Sequence, residues 1–332
     1  MDPSFRSAQR CMEEWAPDLA PLDGGGAASL EAMGGMGALE PPRLVAASVI
    51  EGHALRARRV EGDPEPGFTA FLDGTQQSRT VGYHDGLPIV FGTVAAVVRV
   101  RINRRLFTWS AAPVVQRRIY LPAAYLPSAL PALYESRGFE VVDVTAADVH
   151  GEIPSRHPFA LLERAVHMVQ EHRERAEEGL AERWCRLEGS PIFIDGGVSR
   201  SEIVARAGCA VGVVKSHRTL YVEGEALERV FRLRRGERSS VFRVASSRRT
   251  PVASWYLRLR DPAGHDPLWG LVRVEAADPA HTGEPLEELT RRADRVSRWI
   301  LAEAAPLALP DGRWDRMVYG IRDCEEFLRA VC

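Results

Sequence analysis

The sequence predicts an α/β fold, a mixed sheet flanked by helices behind an N-terminal arm, on three observations. From Phe68 onward three strand-like runs follow one another, each β-branched or aromatic and bounded by turn residues. A long periodic stretch with no internal proline comes next and reads as a helix. A fourth apolar run, SPIFIDGG, begins directly after that helix, where it can return beside the first run and parallel to it.

Taken in order, residues 1–65 form the arm. Its segment DGGGAASLEAMGGMGALEPP is Gly- and Ala-rich with few aromatics, the composition of a linker, and short helices are expected near CMEEW and through VIEGHALRARR. Dimerisation or docking onto a partner is its expected role. Residues 66–332 form the second region, opening with the runs FTAFLDGTQ, LPIVFGTVAAVVRVRI and FTWSAAPVVQRRIYLP. The helix runs from about Pro158 to Cys185. After SPIFIDGG come a short helix (SRSEIVARAG), the run CAVGVVKS, and strands around SSVFRVA, VASWYLRLRD and LWGLVRVEAA. The helix EPLEELTRRADRVSRWILAEA and a closing helix, RDCEEFLRAV, complete the chain. Three leading strands, a helix and a returning strand are the order of ribonuclease-H-like folds. A doubly wound nucleotide-binding fold would alternate from its first strand and carry a Gly-rich first turn, and neither is present.

Composition narrows the function classes. With 332 residues, 45% hydrophobic and 27% charged, and a net charge of −2, the chain can build a substantial core. No stretch approaches the roughly twenty apolar residues of a bilayer span, and the N-terminus lacks the apolar segment of a secretory signal, so no membrane association and a cytoplasmic location are expected. The five cysteines are widely spaced without a CxxC pair, which suggests neither a disulfide framework nor a structural zinc site. Absence of GxxxxGK[ST] and GxSxG argues against a P-loop ATPase and an elbow-type serine hydrolase. His167 and His172 are off the spacing of HExxH ligation.

Asp-Gly occurs at Asp23, Asp73, Asp85, Asp195 and Asp311, and its default meaning is a turn. Asp73 and Asp195 differ because each is expected to end a buried strand, FTAFL and PIFI. If those strands are parallel neighbours, both carboxylates project at the carboxyl edge of the sheet, where α/β proteins bind ligands. Two adjacent carboxylates raise each other's pKa unless a cation sits between them, and an all-oxygen donor set suits Mg2+ or Mn2+. Such a site points to metal-assisted hydrolysis of a phosphodiester. A third carboxylate is expected from the long helix, with Glu177 favoured over Glu178 and Glu171. Lys215 is the only lysine in the chain; behind the apolar run AVGVV it either sits on the surface or aims an ammonium at a scissile phosphate. Arginines cluster at Arg99, Arg101, Arg104 and Arg105, at Arg232, Arg234 and Arg235, and at Arg248 and Arg249, and the first two clusters are expected to track a DNA backbone.

With these residues in view, a family resemblance emerges. FLDGTQQSRTVGYHDGLPIVFG resembles the opening strand of the NurA nuclease domain. The helix RERAEEGLAERW followed by PIFIDGGVSRSEIVARAGCAVGVVKSHRTLYV is similar to that family's central block. The resemblance runs in order from about Phe68 to the C-terminus. It implies a ribonuclease-H-like, manganese- or magnesium-dependent DNA nuclease that is a homodimer and works with a HerA-type hexameric ATPase, in DNA end processing or defence against phage. By the same resemblance Asp73, Glu177 and Asp195 hold metal and Lys215 joins them in catalysis. Many members carry a histidine before the last helix; here the last histidine is His281, and Asp323 stands nearest in position as a metal ligand. The alternative reading is a catalytically weak or inactive adaptor of a translocase complex on the same fold.

Overall fold

Residues 3–16, 42–46, 48–146, 154–247, 249–304 and 319–331 are described by a computed structural model. Most of the expected Gly- and Ala-rich linker lies outside the described residues. Helix α1 (Pro3–Trp15) covers the stretch around CMEEW and packs Phe5, Ala8, Cys11 and Met12 into the core. The short strands β1 (Arg43–Leu44), β2 (Ser48–Val49) and β3 (Ala57–Arg59) follow.

The three leading runs become a long antiparallel meander. β4 (Ala70–His84) and β5 (Leu87–Ile102) are joined by Asp85 and Gly86, both at positive φ (49° and 76°), the backbone that a tight two-residue hairpin requires. The third run is split into β6 (Arg105–Thr108) and β7 (Val114–Leu121), because Ser110 takes a positive φ of 67° and Pro113 has no amide for a ladder. Helix α2 (Ala129–Ser136) and β8 (Glu140–Asp143) lead to α3 (Pro158–Leu187), which starts on a proline at the position that needs no amide partner. Then come β9 (Ile192–Asp195), α4 (Glu202–Arg206), β10 (Ala210–Val214), β11 (Thr219–Leu220) and α5 (Gly224–Phe231). β12 (Glu237–Ser239), β13 (Phe242–Ser246), β14 (Arg249–Arg258) and β15 (Leu271–Ala277) precede α6 (Leu286–Glu303) and α7 (Tyr319–Val331).

Thirteen strands of the described chain share one sheet, with the order β2-β13-β14-β15-β10-β9-β4-β5-β7-β8 along its main path. β4, β5 and β7 are antiparallel, whereas β9 returns beside β4 in parallel and β10 lies parallel to β9. This mixed sheet is the ribonuclease-H-like arrangement expected from the element order. Alternate residues bury both faces: Phe71, Phe193, Val213 and Trp255 meet α6 and α7, while Leu72, Ile194 and Tyr256 lie in the opposite core with Leu180, Ala181 and Trp184 of α3.

Two expectations are corrected. Asp73 does not end its strand: β4 runs on to His84, and Asp73 and Gly74 pair with Val97 and Ala96 inside the ladder. No helix forms through VIEGHALRARR. Gly52 turns the chain with φ 86°, β2 pairs with β13 and β3 with β12, and the buried Glu51 between them accepts hydrogen bonds from Arg238 and the Val241 amide. Pairing with the sheet edge and this ion pair outweigh a weak local helix preference.

Candidate active site

The parallel ladder of β4 and β9 sets the geometry. Phe71 pairs with Phe193 and Leu72 with Ile194, so Asp73 and Asp195 are the next residues on two adjacent strands. Their alternation puts both on the face occupied by Phe71 and Phe193, which is the face covered by α6 and α7. Val213 pairs with Asp195, and Lys215, two residues further, returns to the same side. Its Nζ lies 2.8 Å from Asp195 Oδ2. Asp73, Asp195 and Lys215 thus line one cleft of about 420 Å³ with Gly74, Thr75, Arg173, Gly196, Glu325 and Arg329.

Asp73 is 7% exposed, and its Oδ1 accepts the Gly74 amide at 2.8 Å. Burial, and then the negative charges of Asp195 and Glu177, hold its carboxyl well above the usual aspartate range, against the pull of Lys215. Glu177 reaches the same place from the other face of the sheet. It projects from α3 over Gly74, where a Cβ would collide with its carboxylate. The glycine of this Asp-Gly therefore admits a helix side chain rather than making a turn. Burial raises the Glu177 carboxyl, opposed by Arg173, one helical turn earlier, which is ion-paired to it. Arg173 also donates from Nε to Gln76 Oε1 at 3.1 Å. A second cleft, of about 360 Å³, includes Glu177, Glu174, Glu178, Arg200 and Arg249 and shares Arg173, Asp195 and Gly196 with the first.

Other expected residues lie elsewhere. Asp323 is not among the cleft residues; its Oδ1 takes a 2.5 Å hydrogen bond from Arg99 Nε. Two residues along α7 is about 200° of rotation, and Glu325, which sequence reasoning passed over, lines the cleft instead, followed one turn later by Arg329. Glu171 is ion-paired with Arg175 on the outer face of α3. Arg99 and Arg101 do not form an open basic patch. Arg99 also bonds the Leu106 carbonyl, Arg101 makes bonds of 2.6 and 2.7 Å to Glu303 of α6, and both guanidinium groups stack on aromatic rings. These bonds clamp α6 and α7 to the sheet. Arg232 pairs with Glu228, and Arg248 falls outside the described residues.

Behind the cleft, Glu275 of β15 fixes the segment that follows Asp195. Its Oε2 accepts the Val198 amide at 2.8 Å, its Oε1 binds Arg273 at 2.6 Å, and it lies so close to Gly197 that a Cβ there would approach it to 2.9 Å.

No protein family and no curated protein matches the chain. Among solved structures, the fold is similar to the crystal structure of the NurA nuclease from Sulfolobus solfataricus, with a TM-score of 0.43 and 12% sequence identity over 85% of this chain and 81% of that one. No helix among the described residues is long and apolar enough to cross a membrane.

No group of three or more His, Cys, Asp or Glu side chains among the described residues is gathered about one point as a metal cage would be. What the cleft offers is a pair of hard carboxylates, one of them buried beside like charges. Mg2+ is commonly held in that way, by one or two carboxylates together with waters and substrate phosphates.

Proposed function

We propose that this chain is a divalent-metal-dependent deoxyribonuclease of the NurA kind, acting as a dimer with a HerA-type hexameric DNA translocase. The observation that carries the reading is the meeting of Asp73 and Asp195, remote in sequence, on neighbouring parallel strands beside the chain's single lysine. The order of the motifs around them, resembling the NurA nuclease domain, supports it.

In this reading Asp73 and Asp195 would hold Mg2+ or Mn2+, with Glu177 beside them on the long helix and Glu325 on the cleft wall. Bound there, the ion would supply positive charge to the phosphate oxygens and lower the pKa of an attacking water. The protein's own groups do the rest. Lys215 turns from Asp195 to the non-bridging oxygen of the scissile phosphate and opposes the charge that grows during displacement. Arg173 and Arg329, at the cleft wall, hold neighbouring phosphates with paired guanidinium hydrogen bonds. Asp73, buried inside a ladder, keeps its oxygens in place as the backbone of the substrate moves.

One observation favours the adaptor reading. Asp195 is already paired to Lys215 and Glu177 to Arg173, so the carboxylates have cations without any metal. The two readings separate when the purified chain, alone and with a HerA-type ATPase, is incubated with linear DNA and Mn2+. Degradation that stops in Asp73→Ala and Asp195→Ala, and falls about 100-fold or more in Lys215→Ala, is expected. Equal digestion by wild type and both aspartate variants overturns the assignment. A wild type inert under every condition leaves the adaptor.

A further inference from the structure

Five cysteines are present, and among the described residues two of them meet. Cys185 lies in the last turn of α3 and Cys209 immediately precedes β10, and their sulfurs are 3.8 Å apart. Both thiols are partly exposed, whereas Cys11 and Cys324 are buried. Covalent bonding at about 2.05 Å asks the two sulfurs to approach by less than about 2 Å. We infer that Cys185 and Cys209 form a site of reversible thiol oxidation, closing to a disulfide with hydrogen peroxide as the oxidant.

The surroundings assign the roles. The hydrogen-bonded contact with Cys185, opposed by burial, holds the Cys209 thiol down to about 7, while Cys185 itself is pushed up. Of the two, Cys209 is the one held toward its thiolate form, and the thiolate is the nucleophile. Its sulfur attacks one peroxide oxygen: an S–O bond forms, the O–O bond breaks, and the departing hydroxide leaves as water after taking a proton. The sulfur of Cys185 then attacks that of Cys209. An S–S bond forms, the S–O bond breaks, and the second hydroxide leaves as water with the Cys185 proton. Two thiols and one hydrogen peroxide give one disulfide and two waters, each sulfur losing one electron to the peroxide.

The bridge would tie the helix bearing Arg173 and Glu177 to the strand that leads into Lys215, closing a loop that contains β9 and Asp195. A dithiol reductant reopens it by thiol exchange.

The test needs no nuclease activity. The full chain is treated with one equivalent of hydrogen peroxide at neutral pH, then denatured, and its free thiols are counted. Of the five thiols, two are expected to be lost, with a peptide joining Cys185 to Cys209 and recovery of all five on treatment with dithiothreitol. In Cys185→Ser the reaction stops at a sulfenic acid on Cys209, which dimedone captures. In Cys209→Ser neither cross-link nor captured adduct appears. Retention of all thiols, a cross-link through any other cysteine, or dimedone capture at Cys185 in Cys209→Ser would each overturn the proposal.

Discussion

Asp73 illustrates how one residue can be placed against its own stability. A carboxylate that is buried beside Asp195 and Glu177 keeps its proton to a higher pH in the folded chain than in the unfolded one. From the ordinary aspartate value of about 3.9 up to that raised value, the folded state binds more protons, so stability falls as pH rises through the interval. Asp73→Asn removes the charge and keeps an oxygen for the Gly74 amide. The variant is expected to melt a few degrees higher than wild type at neutral pH, the gain fading below about pH 4, while losing nuclease activity. Thermal melts across that pH range decide it; an unchanged or lowered melting temperature at pH 7 would mean that Asp73 sits in a compensated environment. Glu177 shows where sequence could have said more. Buried positions of α3 at Ala165, Val169, Ala181 and Trp184 share a stripe with 173 and 177, so among six glutamates this one interrupts the sheet-facing row. Nothing of that kind marks Glu325 over Asp323, because the rotation of a terminal helix is set by what it packs on.

At the scale of elements, the segment between Ser48 and Arg59 is held by charge as much as by hydrogen-bond ladders. Arg238 of β12 is fully buried and bonds both oxygens of Glu51, at 2.7 and 3.0 Å, and Asp294 of α6 at 2.6 Å. Three elements remote in sequence meet on that guanidinium. Truncating one member of a buried ion network strands the others, typically at about 3–5 kcal/mol. Arg238→Ala is therefore expected to lower the unfolding free energy by about that amount in denaturant titrations, and to open the chain near residue 52 to limited proteolysis. A loss under 1 kcal/mol with unchanged cleavage would show the network to be dispensable. Such contacts explain what could be read in advance. The meander, the long helix, the DGG strand and the last two helices were legible because each carries its own periodicity. β2 and β3 were not, since two- and three-residue strands exist only through partners nearly two hundred residues away in sequence.

Across the whole molecule, strands from before residue 65 pair with strands from beyond it. β1 pairs with β11, β2 with β13 and β3 with β12, while α1 sets Phe5 edge-on against Phe91 of β5. Removal of residues 1–65 is accordingly expected to yield a chain without a cooperative thermal transition, because it strips an edge strand and uncovers Glu51's partner Arg238 in the core. Circular dichroism melts of that truncation beside the full chain measure this. A truncated chain that unfolds sharply within a few degrees of the intact one would restore the reading of a detachable arm.

The burial of Asp73 within a ladder, bonded to β5 on one side and neighbouring β9 on the other, has a kinetic corollary. Amides along the middle of β4 are expected to exchange with deuterated solvent only when the entire structure opens. One carboxylate of the pair is thereby mounted inside a ladder and the other on the last residue of its strand, so any adjustment to an arriving guest falls to the Asp195 side.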